Sequence, residues 1–494
     1  MLKEVDVLVV GGGINGSGIA NAAAQAGLGV LLVERDDLAQ HTSSRSGKLI
    51  QGELRYLDVR ELRQVREALA EREVLLSLAP HIVRPVTFVL PHNAALRPAW
   101  MVRAGLLLYD HLGRRETLAG SRRLSLSRHP FGDPLRTEFG LGFSYTDCRV
   151  DDARLVVLNA LQAVEYGASI RTRTRVTAVE RGVDDWRVTL ERAGEAPASV
   201  SCRVLVNAAG PWAGEVAAQM LGLDAPQPMR QVKGSHIVVP RLYDGNHGYI
   251  LQQSDHRVVF VLPYGEYNLI GGTELPFSGD PARVEAEPAE VEALCAAVNR
   301  YFRRQLSPAD VVWRYAGVRP LFDCGGGGTL RVPRDYHLEY DAAAAPLLSV
   351  HGGKLTTYRQ LALSAVAMLA RRFELPLMLD PPPKLPGGVL PTADIDSYRA
   401  DLKRRFAFVP EVELDAMVDR HGSRCELLLA AVHSRAGLGR DFGAGLYQCE
   451  AEFLRREEWA TEAEDVLWRR STCGLRMSAA QREQFTAWWN AQAR

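Results

Sequence analysis

The chain has 494 residues, with 59 basic and 59 acidic side chains and a formal net charge of +0. This length predicts about two to four domains, and the balanced charge argues against a dedicated nucleic-acid binder, which needs a basic surface. Apolar residues make up 47% and charged residues 24%, as in globular proteins. The seven cysteines are scattered without a CxxC pair, so neither a disulfide framework nor a zinc site is indicated, and a reducing cytoplasm fits best.

The N-terminal segment has the pattern of a strand, a helix and a second strand. Val5–Val10 and Val30–Val33 are apolar runs of strand length, and Ile19–Ala26 between them is a small apolar helix. The stretch from Val7 to Val33 carries no charge and has the hydropathy of a membrane span. Its glycines cluster at the two turns, however, so we predict a βαβ unit.

The rest of the chain divides by pattern. Helices are predicted at Val59–Leu78, Ala153–Tyr166 and from Tyr358 to Leu369, and strands at Arg171–Glu180, Trp186–Leu190, Val204–Val206, His236–Val239, Val258–Leu262, Leu269–Ile270 and Leu347–Val350. The short strands between about 228 and 345 predict an inserted antiparallel sheet. Prolines and glycines at 379–391 predict a linker, and residues 392–494 have helical patterns without strand signals.

A glycine-rich motif follows the first strand. Gly11-x-Gly13-x-x-Gly16 opens the helix, and Glu34 ends the next strand. Glycines allow the tight turn and close approach of the backbone to a pyrophosphate, the helix N-terminus supplies N–H donors, and the acid can accept hydrogen bonds from ribose hydroxyls. An adenine dinucleotide is therefore predicted. The remaining strands of the sheet lie hundreds of residues downstream, which favours an extended FAD over NAD.

Seven motifs along the chain closely resemble those of the aerobic, FAD-dependent glycerol-3-phosphate dehydrogenases. They are VVGGGINGSGIA, HTSSRSGKLIQGELRYL, YTDCRVDDARLV, VNAAGPWA, QVKGSHIVVP, RYAGVRPL and HGGKLTTYR. The resemblance covers almost the whole chain, and the motifs stand in the family's order. It implies an α/β fold in which a glutathione-reductase-type, Rossmann-like FAD domain is interleaved with an antiparallel substrate sheet, followed by a helical C-terminal domain.

The resemblance also implies domain bounds and partners. The FAD-dependent oxidoreductase domain spans 1–378, with FAD-binding parts at about 1–80, 150–227 and 346–374 and substrate or cap parts at about 81–149 and 228–345. Its reaction is oxidation of sn-glycerol 3-phosphate to dihydroxyacetone phosphate. Electrons pass from non-covalently bound FAD to ubiquinone or a similar quinone. A homodimer on the cytoplasmic face of the inner membrane, or in the cytoplasm, is expected.

Cofactor residues follow from the resemblance, position by position. They comprise the pyrophosphate and ribose contacts, the loop along the flavin, the adenine side, the second nucleotide contact and the opening of the last helix: Gly11, Gly13, Ile14, Asn15, Gly16, Glu34, Thr42, Ser43, Ser44, Lys48, Leu49, Val176, Ala209, Gly210, Gly353, Lys354, Leu355 and Thr356.

Substrate residues also lie in these motifs. A phosphomonoester needs fixed cations, and Arg55, Arg319 and Lys354 are the candidates. His236 is the candidate base for the C2 hydroxyl, and His351 is a weaker one.

The chain departs from the family pattern in two motifs. Gln51-Gly52-Glu53-Leu54-Arg55-Tyr56 replaces the usual His-Gly-Gly-Leu-Arg-Tyr, and Gly271–Glu274 reads GGTE where the family usually has GTTD. Gln51 can hydrogen-bond but cannot hold a proton, and Glu53 adds an anion near Arg55. We keep Gln51, Arg55 and Tyr56 in the candidate catalytic set. Two alternatives stay open: an FAD oxidase of a related hydroxylated phosphate using oxygen, and a catalytically weak flavin-binding protein.

The segment from Arg97 to Arg128 is both basic and apolar. It contains seven Arg against two acids, Asp110 and Glu116, around Trp100, Met101, Val102 and Leu106–Leu108. Such a combination is typical of an interfacial membrane contact. The alternative is a basic surface on an ordinary packed helix with Leu106–Tyr109 in the core.

Overall fold

The computed structural model describes residues 4–52, 62–92, 98–113, 115–221, 229–255, 257–322, 336–373, 375 and 381–492. Its strands are β1 (Glu4–Val10), β2 (Val30–Val33), β3 (Leu49–Ile50), β4 (Val83–Pro91), β5 (Arg122–Ser125), β6 (Leu141–Val150), β7 (Ser169–Arg171), β8 (Thr174–Arg181), β9 (Trp186–Arg192), β10 (Ala198–Asn207), β11 (Met229–Pro240), β12 (Gly248–Gln252), β13 (Val258–Tyr264), β14 (Tyr267–Gly271), β15 (Leu275–Pro276), β16 (Trp313–Phe322), β17 (Tyr336–Asp341) and β18 (Leu347–Gly352).

The α-helices alternate with these strands until β18 and then continue alone. They are α1 (Ile14–Gln25), α2 (Leu62–Leu78), α3 (Ala99–Leu112), α4 (Asp152–Glu165), α5 (Ala213–Leu221), α6 (Pro288–Asn299), α7 (Tyr358–Phe373), α8 (Ile395–Arg405), α9 (Glu411–His421), α10 (Cys425–Leu429), α11 (Gln448–Glu457), α12 (Ala463–Asp465), α13 (Cys473–Arg476) and α14 (Ala479–Ala491).

The first sheet is centred on β1. Its order is β17-β18-β10-β1-β2-β7; the strands from β18 to β7 run parallel to one another, and β17 is antiparallel to β18. Val7, Leu8 and Val9 are fully buried because both faces of the sheet are covered. Val7 and Val9 belong to the core with α1, α4 and α7, whereas Leu8 packs with Val188 and the β8–β9 hairpin. The predicted βαβ unit is therefore the centre of a doubly covered sheet.

The second sheet is almost entirely antiparallel. Its order is β15-β11-β14-β13-β12-β4-β6-β3, with β16 on β11 and β5 on β6. Strand β11 pairs with β14 on one side and β16 on the other, so His236 lies opposite both Gly271 and Tyr315. The predicted α/β fold with an interleaved antiparallel sheet is confirmed.

The C-terminal helices form a separate core. Met417, Phe453 and Trp489 are buried in it. The segment before these helices, predicted as a linker, packs against α2: Leu385 is buried, and its N–H donates to the Leu78 carbonyl at 3.1 Å. Within the described ranges, we find no helix that combines the length and apolarity needed to cross a bilayer.

Candidate active site

A cleft of about 690 Å³ lies between the two sheets. Its walls include the turn between β1 and α1, the loop at 39–51, residues 352–356 before α7, the middle of β11 and the second half of β16. The parallel strands β1, β2, β10 and β18 all point their C-terminal ends at it, which is where ligands of open α/β sheets bind. The cleft therefore joins a nucleotide site to residues of the second sheet.

The phosphate loop is shaped by close contacts. A Cβ on Gly16 would lie 1.9 Å from the Gly11 carbonyl oxygen, so only glycine lets the helix begin this close to the strand. Gly11 has φ +113°, in the region that favours glycine. The first turn of α1 contains no acidic residue, and the N–H groups of Asn15 and Gly16 have no acceptor within the helix. This is a fitting site for the pyrophosphate of FAD.

Glu34 lies beneath the phosphate loop, as the ribose role requires. Its carboxylate accepts hydrogen bonds from the N–H groups of Gly12 at 2.6 Å and Asp36 at 2.8 Å. Glu34 also lines the cleft. The carboxylate is therefore fixed in a position from which it can accept further hydrogen bonds from ribose hydroxyls.

Loop 42–49 divides into residues that face the cleft and residues that do not. Thr42, Ser43 and Leu49 line it, and Ser43 Oγ accepts the Ile14 N–H at 3.0 Å. Ser44 does not line the cleft. Lys48 Nζ turns away to Asp152 Oδ1 at 2.6 Å and the Ser44 carbonyl at 3.1 Å. Although burial opposes ionisation, Asp152 raises the pKa of Lys48, so this lysine is a buried structural cation.

The remaining predicted cofactor residues gather around the same cleft. Those that line it are Gly11, Gly13, Ile14, Asn15, Val176, Ala209, Gly210, Gly353, Lys354, Leu355 and Thr356. Residues 353–356 lie between β18 and α7 and precede the helix. Asn15 Nδ2 donates to the Gly352 carbonyl at 3.0 Å, which ties the phosphate loop to this segment.

The predicted substrate residues His236, Arg319 and Gln51 line the same cleft, together with Glu274. Arg319 Nη1 donates to Glu274 Oε1 at 3.3 Å. Burial, together with the charges of Arg319 and Lys48, lowers the pKa of His236 to about 3, so its imidazole is neutral at physiological pH.

The two ring nitrogens of His236 have different surroundings. Nδ1 is buried and has no hydrogen-bond partner within the described part of the chain. Nε2 lies beside two glycines that line the cleft, since a Cβ on Gly272 would be 3.1 Å away and one on Gly47 3.6 Å away. Nε2 is therefore the nitrogen that can reach a ligand in the cleft.

One candidate residue lies away from the cleft, and two are not among the described residues. Arg55 and Tyr56, with Glu53, lie outside the described residues. His351 does not line the cleft, and its Nε2 lies 3.3 Å from Glu339 Oε2 in the β17–β18 pair. The geometry offers no substrate role for His351.

Several cleft residues were not singled out from the sequence. Arg45 lines the cleft beside Ser43, and burial lowers the pKa of its guanidinium. Trp212 lines the cleft, and His41 contacts it edge-on at 4.7 Å between centroids. Arg45 falls inside the TSSRSGKLI motif and Trp212 inside VNAAGPWA, so the motifs themselves contained the signal.

Comparison with known proteins agrees with this geometry. The family model described as FAD dependent oxidoreductase matches residues 6–359. A glycerol-3-phosphate dehydrogenase of Pseudomonas aeruginosa is 49% identical over 97% of this chain and 94% of its own length. A D-erythritol 1-phosphate dehydrogenase of Brucella abortus is 45% identical over 99% and 98%. The crystal structure of a Bacillus halodurans glycerol-3-phosphate dehydrogenase complexed with FAD has a TM-score of 0.75 at 23% identity, covering 99% of this chain and 95% of that one.

Proposed function

We propose, from the premise that the chain belongs to the FAD-dependent oxidoreductase family, that it oxidises sn-glycerol 3-phosphate to dihydroxyacetone phosphate. When bound, FAD supplies the two-electron acceptor for the hydride that leaves C2. One observation carries the proposal: a neutral imidazole and a guanidinium, His236 and Arg319, line the same cleft as the dinucleotide loop.

His236 takes the role of general base. As the C2–H bond breaks with its electron pair, the O–H bond at C2 breaks too, and His236 Nε2 takes that proton while the C=O bond forms. The neutral imidazole enters the reaction able to accept a proton, although a pKa of about 3 in the substrate-free protein makes it a weaker base than an imidazole in water. Its orientation is fixed by Tyr315, whose hydroxyl donates to the Ser46 carbonyl at 2.8 Å.

Arg319 takes the role of phosphate clamp. Its side chain is partly exposed to the cleft, and its guanidinium contacts the Glu274 carboxylate at 3.3 Å. A bound phosphate therefore either replaces this carboxylate or shares the guanidinium with it. A phosphate dianion with several acceptor oxygens matches the guanidinium fork better than a single long contact does. Lys354 lines the cleft near α7 and adds a second cation, and Arg55 stays a proposed third.

Anaerobic mixing tests the proposal directly. The FAD-loaded protein is mixed with glycerol 3-phosphate, with glycerol plus inorganic phosphate as the control, and flavin absorbance is followed by stopped flow. We expect rapid bleaching with glycerol 3-phosphate alone and one dihydroxyacetone phosphate formed per flavin. Absence of bleaching would favour the catalytically weak flavin-binding alternative.

A longer polyol phosphate is the second candidate substrate. Gly272 lines the cleft at a position where the resembled family usually has Thr, so the side chain that would narrow the cleft there is absent; an added Cβ would lie only 3.1 Å from His236 Nε2. Glu274 and Gln51 place a carboxylate and an amide in the same cleft, where they can form hydrogen bonds with the additional hydroxyl groups of a longer substrate. The Brucella relative is named for D-erythritol 1-phosphate. The ratio of kcat/KM for D-erythritol 1-phosphate and glycerol 3-phosphate decides between the two candidates.

The electron acceptor is proposed to be a membrane quinone. Helix α3 has two faces: Val102 and Leu106 line the cleft, while Trp100, Leu107 and Leu108 point outward with 70%, 42% and 41% of their surface exposed. An exposed apolar stripe on a helix that borders the active cleft favours contact with a bilayer, from which a lipid-soluble quinone can reach the site. Steady production of hydrogen peroxide without quinone would instead favour an oxidase.

A further inference from the structure

The C-terminal domain reaches the nucleotide site through one π-helical turn, Val466–Arg470. Arg470 is fully buried and holds Asp37 with both arms of its guanidinium: Nη1 lies 2.6 Å from Oδ2 and Nη2 lies 2.7 Å from Oδ1. Arg469 Nε adds a third contact to Asp37 at 2.6 Å. Single π-helical turns often mark functional positions, and here the turn presents two cations to one carboxylate.

Asp37 lies on the loop that follows β2. It does not line the cleft, but Ala39 and Gln40 on the same loop do. The Ala39 N–H donates to the Gly12 carbonyl at 3.1 Å, which joins this loop to the phosphate loop. Ala39 has φ +61°, a conformation that is unfavourable for a side chain with a Cβ and needs support from its surroundings. The salt bridges of Asp37 provide such support from the far side.

A second link runs parallel to the first. Arg173 Nη1 donates to Gln40 Oε1 at 3.0 Å, while Nη2 donates to Asp465 Oδ1 at 2.8 Å. Asp465 also pairs with Arg469. Asp37 and Gln40 are therefore both linked to residues 465–470 of the C-terminal domain, Asp37 directly and Gln40 through Arg173.

The turn is anchored on its other side by the substrate sheet. Trp468 stacks on Trp313 of β16, with ring centroids 5.1 Å apart. Trp313 in turn contacts Tyr315, which stacks on His236. The five residues at 466–470 thus bridge the nucleotide loop and the strand behind the proposed base.

The charges of Asp37, Arg469 and Arg470 explain why the loop and the π-helical turn depend on each other. Burial opposes ionisation of Asp37, but Arg470 and Arg469 outweigh that effect and lower the pKa of its carboxyl. Removing one partner of a buried ion pair leaves an uncompensated charge, which is much costlier than losing an exposed pair. Undocking of the turn would therefore leave the charge of Asp37 buried without these two partners.

We propose that the C-terminal helical domain is a cofactor-retention element: its turn Val466–Arg470 holds loop 36–41 in the conformation that binds the adenosine end of FAD. Asp37 and Arg470 act as positioning residues, through Ala39 and Gln40. Because coupling between two binding events is reciprocal, bound FAD also stabilises docking of the C-terminal domain. The proposal concerns the cofactor alone and does not depend on which phosphate is the substrate.

The test measures FAD affinity in full-length Asp37→Asn. The protein is stripped of FAD and titrated with it, and the dissociation constant is read from flavin fluorescence. Coupling between sites typically changes affinity about 5- to 150-fold, so we expect an increase of about tenfold or more. Hydrogen exchange of peptides covering 36–41 and 466–470 gives the second readout. FAD should slow exchange in both peptides of the wild type but only weakly in the variant.

The matched control is Glu458→Gln. Glu458 is fully buried, and its carboxylate pairs with Arg154 of α4 at the same domain junction. Its backbone carbonyl accepts from Arg470, a contact that Glu458→Gln leaves in place, whereas its carboxylate makes no hydrogen bond to Arg470 or to loop 36–41 within the described residues. We expect its FAD dissociation constant to stay within about twofold of the wild type while its melting temperature falls. An equal loss of affinity in Glu458→Gln would mean that any damage to the junction releases FAD, and the proposal would be overturned.

A milder variant keeps the test decisive if Asp37→Asn does not fold. Arg173→Gln removes the bridge between Gln40 and Asp465 at a partly exposed side chain. We expect it to raise the FAD dissociation constant by about fivefold, the lower end of typical coupling. The proposal is overturned if folded Asp37→Asn binds FAD with an affinity within twofold of the wild type. If Asp37→Asn does not fold, the same result for Arg173→Gln overturns it.

Discussion

The imidazole of His236 stacks on the phenol ring of Tyr315, with centroids 4.9 Å apart and planes 15° from parallel. Lys48 lies over the ring of Tyr315, with its Nζ 5.7 Å from the ring centroid. The orientation of the proposed base is therefore set by an aromatic plane and by the same loop that supplies Ser43 to the phosphate site. Small shifts of that loop are expected to reach the base.

We predict that His236 stays neutral across the physiological range. Its pKa is lowered to about 3 by burial and by Arg319 and Lys48, so ¹⁵N-histidine NMR of the substrate-free protein should show no protonation between about pH 5 and pH 8. The unfolded chain binds this proton near pH 6.5. The contribution of His236 to the free energy of unfolding therefore falls as pH drops from about 6.5 towards 3. A protonation midpoint above pH 5 would contradict this prediction.

We predict that His236→Ala slows flavin reduction by about 10²- to 10⁴-fold, the usual worth of a general base. His351→Ala is the matched control, because His351 is equally buried but lies outside the cleft. Its reduction rate should stay within about threefold of the wild type. Both variants should bind FAD stoichiometrically, as measured by absorbance after gel filtration. Equal slowing in the two variants would remove His236 from the base role.

We predict that Gly272→Thr changes substrate preference. The added Cβ lies 3.1 Å from His236 Nε2 and narrows the cleft beside the base, so kcat/KM should fall more for D-erythritol 1-phosphate than for glycerol 3-phosphate. A difference of one or two carbon-sized groups in a pocket is worth about tenfold or more in kcat/KM. The ratio of the two values isolates this effect from any movement of His236, which affects both substrates. An unchanged ratio would show that Gly272 does not set substrate length.

We predict that the outward face of α3 binds anionic vesicles. Replacing Trp100, Leu107 and Leu108 by Gln removes apolar groups that each contribute on the order of 1 kcal/mol or more when buried in a membrane, so sedimentation with vesicles should fall at least about tenfold. The control is Val183→Gln with Val412→Gln, two exposed apolar residues at 82% and 74% exposure outside α3. Reduction of a soluble dye should survive in both. Unchanged sedimentation of the α3 variant would move the membrane contact elsewhere.

Local patterns predicted the fold well where neighbours in sequence are also neighbours in space. The strand at 30–33 has the predicted bounds, and each end of α4 lies within one residue of the predicted helix Ala153–Tyr166. Strands β4 and β6 were not predicted, since β4 contains Pro85 and Pro91 and its partner lies some fifty residues away. Pairing over that distance has no local signature.

The site shows the same division. The glycine motif and Glu34 were predicted because the chemistry sits within one βαβ unit. Lys48, in contrast, was predicted along the flavin and instead pairs with Asp152, which only the fold brings near it. For the basic segment, the structure shows both faces: Leu106 and Tyr109 are buried, whereas Trp100, Leu107 and Leu108 are exposed. One of its basic residues, Arg115, pairs with Asp110. The homodimer and the cellular location stay predictions.

The interleaving of the two sheets has a consequence during synthesis. Strand β1 leaves the ribosome ahead of its parallel neighbour β10, which follows about two hundred residues later, and ahead of β18, which follows about three hundred and fifty residues later. At about 5 to 20 residues per second, β18 emerges roughly 20 to 70 s after β1. Until β10 and β18 emerge, the edge of β1 that pairs with β10 and the remaining parallel strands of the sheet are missing their partners, so newly made chains are expected to need chaperone protection before FAD can be loaded.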